Sequence, residues 1–179
     1  MIVTRNIINP NIKFHDFVKS PSDGYVLKTY SFAELSRLID GYKNLLVSRG
    51  AAPGDRVVIG EKSGPRQVAA VFACCELGLD LAIVNKAKNS IRKYDYSDEV
   101  LILKPRFLIT FKGEFYSPKI QNLKEICELV VPIEDQLDYT ENTLVQARPD
   151  SNFLSCIIKD GSIITHNHEF IHSLSLIHI

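Results

Sequence analysis

The chain lacks a surplus of charge of either sign. Lys and Arg number 21 against 21 Asp and Glu, so the formal net charge is zero. A nucleic-acid binder usually carries a basic excess, so that class is not expected. No apolar run approaches the roughly 20 residues that a membrane helix needs. Residues 1–16 hold no continuous apolar stretch of the kind a secretory leader carries. The expectation is a soluble, cytoplasmic protein. Cysteine is sparse: Cys74, Cys75, Cys127 and Cys156 are all there is, and none has C-x-x-C spacing. Cys74 and Cys75 sit side by side in an apolar helical stretch. They read as small buried apolar residues in a reducing compartment. There is no internal repeat, no low-complexity tract, no Ser-His-Asp set, no nucleophile elbow and no G-x-G-x-x-G.

What is present is ordinary globular material. The 179 residues are 45% hydrophobic and 23% charged, enough for about one domain with a sizeable core. Residues 2–17 are mixed and carry no firm signal. Ser20-Pro21-Ser22-Asp23-Gly24 is a dense turn signal before a short strand at residues 25–30, and a hairpin around Asp23-Gly24 is plausible. Ser31-Phe32-Ala33-Glu34 has the capping-box form, with Tyr30 and Leu35 at the hydrophobic-staple positions. Leu35, Leu38, Ile39, Tyr42, Leu45 and Leu46 follow helical spacing, and Gly50 supplies the stop. Arg37, Asp40, Lys43 and Asn44 fall on the exposed side of that helix.

After a turn at residues 52–55, residues 56–60 form a short β-branched run, a candidate buried strand. A helix is expected over residues 66–77, with Val68, Val71, Phe72 and Cys75 on one side and Gly78 as terminator. Further strands are expected at 79–84, 107–110, 129–131 and 153–158, and a helix at 117–128. Residues 85–99 read as polar, with a basic cluster at Lys86, Lys88, Arg92 and Lys93. That cluster suits a phosphate or an acidic partner, or simply a solvated loop. Residues 136–150 read as a polar linker. Strands alternating with helices imply an α/β fold: a mainly parallel sheet covered by helices.

In this order the segments resemble the N-terminal region of adenylate-forming (AMP-binding, acyl-CoA synthetase-like) ligases. Tyr30-Ser31-Phe32-Ala33-Glu34-Leu35 is similar to the family's "TYxEL" helix start. Residues 46–57, through Gly50 and Gly54-Asp55-Arg56-Val57, are similar to its "GDxV" segment, and residues 71–78 to the helix that follows. The resemblance covers residues 25–86 and implies an incomplete N-terminal subdomain of such an enzyme. The family activates a small carboxylic acid with ATP and Mg²⁺, forming an acyl-adenylate, and transfers the acyl group to a thiol such as CoA.

The family's phosphate loop, of the form T-S-G-T-T-G-x-P-K, would follow the strand at Phe153. Its glycines let the backbone approach phosphate oxygens closely. Downstream, Thr165-His166-Asn167-His168-Glu169-Phe170 is similar to the family's "HxHEF" form, at an expected helix start. Ungapped placement back from His168 sets Ser155 on the loop serine, Cys156 on the first glycine and Lys159 on the second. It sets Gly161 on the proline and Ser162 on the lysine. Ser155, Lys159, Gly161 and Ser162 are therefore the candidate nucleotide-binding residues of a degenerate loop, and no catalytic residue is named. The alternatives stay open: a weakened or altered loop, or an ordinary Asp-Gly turn. Cys156 lies in an apolar run and is a poor nucleophile candidate.

His166, His168, Glu169 and His172 raise a metal reading, since His168 and His172 would share a helix face. The stronger H-E-x-x-H pattern is absent, so exposed rings at a helix start are the reading kept and no metal site is assigned. The last six residues, Leu174-Ser175-Leu176-Ile177-His178-Ile179, match what a transposon-end adapter of tagmentation sequencing libraries encodes in one frame. Residues 1–173 are thus expected to be a partial AMP-binding-type domain, and 174–179 a non-native tail. The functional expectation is an inactive fragment of an ATP-dependent carboxylate-activating ligase. The alternative is a non-catalytic binding or regulatory module that keeps the fold.

Overall fold

The computed structural model describes residues 9, 11–20, 24–60, 64–84, 97–110, 118–130, 152–157 and 162–167. The chain opens with an antiparallel hairpin of β1 (Phe14–Ser20) and β2 (Gly24–Tyr30). Its register runs from Phe14 opposite Tyr30 to Ser20 opposite Gly24. The hairpin is where the turn signal places it, but β1 lies where the sequence carries no clear pattern.

Helix α1 (Phe32–Ser48) starts as its sequence dictates. The Glu34 N–H donates to Ser31 Oγ over 3.2 Å, and the Ser31 N–H donates back to Glu34 Oε2 over 2.8 Å. The backbone bond from Ser31, then its hydroxyl bond, hold the Glu34 carboxyl below its ordinary value. Tyr30 and Leu35 are both buried, as a staple requires. At the other end Gly50 takes φ +77°, and the Ala51 and Gly50 N–H groups donate to the Leu46 and Val47 carbonyls. This is a Schellman close, which a left-handed residue makes possible.

Strand β3 (Arg56–Ile59) leads to α2 (Pro65–Leu77), then β4 (Asp80–Ile83). Gly78, at φ 70°, closes α2 as expected. The buried face of α2 differs from the larger apolar side that the spacing suggests. Ala69, Ala70, Ala73, Cys74, Cys75 and Leu77 are buried, whereas Val68, Val71 and Phe72 only pack at the core's margin. The reason lies in position. Helix α2 touches α1 as well as β1, β3 and β4, and small residues let a helix come close on two sides at once. Across the α1–α2 contact Lys43 Nζ donates to Glu76 Oε2 over 3.0 Å, with 14% and 10% of the two side chains exposed. Lys43, expected on the open face, is therefore mostly covered.

The remaining elements are α3 (Ser97–Leu103), β5 (Phe107–Ile109), α4 (Pro118–Asn122), a 3₁₀ turn (Leu123–Glu125) and β6 (Glu128–Val130), then β7 (Asn152–Ile157) and β8 (Ile163–Asn167). Helix α3 lies at the end of a stretch that reads as polar. The single helix expected over 117–128 is shorter: it tightens into the 3₁₀ turn, and Glu128 already belongs to β6. Ile126 consequently stands 39% exposed. The "HxHEF" segment begins in a strand, because His166 lies within β8 opposite Leu154. His168, Glu169 and His172, the basic cluster, and residues 136–150 and 174–179 lie outside the described residues.

Six strands form one sheet in the order β6-β5-β3-β4-β7-β8. All neighbours are parallel except β7 and β8, which are antiparallel. The fold is α/β, with a mainly parallel sheet, as the alternation of elements implies. Alternate strand residues feed two cores. Val57, Ile59, Leu81, Phe107, Ile109 and Val130 pack with α1 and α2. Val58, Ala82, Val84, Leu108 and Leu129 pack with residues of α3, α4 and the 3₁₀ turn. Burial on both faces explains why these strands read as unbroken apolar runs.

Candidate functional site

The sheet has two polar ends with different character. At the amino end, charged side chains lace the strands together. Arg56 Nε donates to Asp80 Oδ2 over 2.7 Å, and Arg56 Nη1 donates to the Leu103 carbonyl over 2.9 Å. Arg106 pairs with Asp55 and Arg49 with Glu128, at 2.5 and 2.6 Å. Asp55 also accepts from the Ala52 N–H over 2.8 Å, which shapes the turn before β3. Arg49, Arg56 and Arg106 each have a carboxylate partner, so these pairs help to hold the strands in register. None of these pairs was evident in the sequence, because their partners lie 24 to 79 residues apart.

The carboxyl end is where ligands bind in open α/β sheets, at the point where the chain reverses its direction of travel across the sheet. Here that point is β3. From β3 the chain moves through α2 on one face to β4, then returns through α3 on the other face to β5 on the far side of β3. Two features meet this edge. Thr110, fully buried, follows β5, and its N–H donates to the Val130 carbonyl over 2.9 Å. The second feature is the start of α2. Its N-cap, Gly64, has no side chain to cap the helix, and Pro65 occupies the first turn. The Asp16 carboxylate of β1 lies 3.4 Å from where a Cβ on Gly64 would sit. A negative group at a helix N-terminus is favourable, so Asp16 complements this one from another element. Asp16 carried no signal in the sequence, since only the hairpin's docking brings it there.

The end of β7 and the start of β8 face the same edge. Leu81 of β4 pairs in parallel with Leu154, so β7 runs on toward the carboxyl end of β4. Ser155 stands in β7 opposite Thr165, Cys156 opposite Ile164, and Ile157 opposite Ile163. Ser162 is exposed just before β8, and Thr165 and His166 are half-buried in it. Lys159 and Gly161 lie outside the described residues, as does the side chain of Ser155. Ser155 and Ser162 thus belong to one antiparallel pair of strands.

The other reactive groups are quiet. Burial pushes the Cys74 thiol up to about 12 and the Cys127 thiol to about 11, and it raises Cys75 as well. Such thiols are poor nucleophiles, as expected for buried apolar residues. Among the described residues, no group of three or more His, Cys, Asp or Glu is placed to hold a metal ion. No helix among them is long and apolar enough to cross a membrane.

No family model matches the chain, and no curated protein matches it. Solved structures do. The N-terminal domain of FACL13 from Mycobacterium tuberculosis aligns over 94% of this chain at a TM-score of 0.69 and 16% identity. An adenylation domain of a keto acid-selecting NRPS module, bound to a keto acyl adenylate, aligns over 83% at 0.67 and 15%. The chain has the N-terminal fold of the adenylate-forming ligases. The anthranilate CoA ligase AuaEII, in complex with anthranoyl-AMP, shares that fold over 79% of the chain at 0.60 and 19%. The chain spans 43%, 29% and 29% of these three structures, respectively. At such identities the likeness concerns architecture.

Proposed function

We propose that this chain is the N-terminal part of an ATP-dependent carboxylate-activating ligase. The whole protein would join a small carboxylic acid to AMP, releasing pyrophosphate, and then pass the acyl group to a thiol such as CoA. Residues 1–173 are the partial AMP-binding domain, and 174–179 are a non-native tail. The observation that carries the reading is the likeness in fold to an adenylation domain bound to a keto acyl adenylate, over 83% of this chain. The end of β7 at the carboxyl edge of the sheet, where open α/β sheets bind ligands, supports it.

The fragment alone is inactive. Between the paired Ile157 and Ile163 stand five residues, Ile158 to Ser162, with one glycine among them. Lys159, Gly161 and Ser162 offer a cation, a flexible backbone and a hydroxyl. That set falls short of the several glycines with which a backbone closes on phosphate oxygens. Cys156, which the resemblance sets on the first glycine, stands in a paired strand. ATP and Mg²⁺ therefore belong to the whole protein, and no chemical step is assigned to these residues. The same shortfall favours a second reading, a non-catalytic module that keeps the fold.

Sequencing the source DNA from codon 150 past codon 173 and assaying the resulting protein separates the two. A reading frame that continues into a ligase, with carboxylate-dependent exchange of pyrophosphate into ATP, is the expected result. A stop codon after Ile179 with the loop unchanged would overturn the ligase reading and leave the module.

A further inference from the structure

We draw no further inference here: the strongest candidate, the open outer face of the β1–β2 hairpin where Tyr25 and Leu27 stand 73% and 52% exposed, carries nothing because no part of the structure shows what covers it.

Discussion

Replacing Ser31 by Ala tests how far local sequence governs this fold. The hydroxyl accepts from the Glu34 N–H and donates to Glu34 Oε2, and the Ser31 N–H donates to the same oxygen. Losing the hydroxyl removes the first two bonds and leaves the third. An N-cap substitution of this kind costs about 1 kcal/mol. The site is exposed, so no cavity term adds to that cost. In a chain of 179 residues, 1 kcal/mol lowers the melting temperature by about 2–4 °C. Circular dichroism melts of the full chain at pH 7 read the shift. The pH dependence supplies a second check. Because the folded state lowers the Glu34 pKa, this contribution is present above the unfolded value, near 4.5, and fades as pH falls through the lower folded value. Glu34→Gln should therefore flatten the stability loss in acid. A Ser31→Ala melt equal to the parent's at pH 7, with an unaltered acid limb for Glu34→Gln, would refute the claim that the box sets where α1 begins.

Other perturbations probe the interior. Arg56→Ala removes the ion pair with Asp80, whose side chain is 4% exposed, and should cost about 3 kcal/mol in urea unfolding; a loss below about 1 kcal/mol would mean that this pair does not hold β3 to β4. Ala73→Leu should destabilise by about 1–3 kcal/mol through overpacking between α2 and its neighbours, whereas Val71→Ala at the core's margin should cost less, and the reverse order would show that α2 is rotated. Cys74, with its thiol raised to about 12, should resist iodoacetamide at pH 8 in the native protein and react fully in urea; rapid native labelling, located by peptide mass, would contradict its burial.

How much was legible can be judged element by element. Helix α1 was readable from end to end because its signals are local: a cap and its partner lie three residues apart, and a stop glycine lies within the next turn. Strands β3, β4, β5 and β6 were readable because burial on both faces leaves unbroken apolar runs. Strand β1 was not, since its pairing with β2 is its main structural definition. Beyond the expected burial of Cys74 and Cys75, the inward face of α2 was not legible, because periodicity reports where apolar residues stand and is silent on how close a second helix comes. His166 was placed at a helix start by resemblance, and antiparallel pairing with Leu154 puts it in a strand. At the candidate site, Ser155, Lys159, Gly161 and Ser162 were singled out by resemblance alone; Ser155 lies in β7 and Ser162 just before β8, while Lys159 and Gly161 lie outside the described residues.

The sequence by itself determined the class of fold, the ends of α1 and α2 and the identity of most buried strands, because these follow from neighbours within a turn or two of the chain. Only the tertiary structure decided which residues from distant segments meet: Arg56 with Asp80, Lys43 with Glu76, and Asp16 with the start of α2. Those encounters depend on strand order and helix docking, which the burial of two opposed apolar faces selects and which no short stretch of sequence encodes.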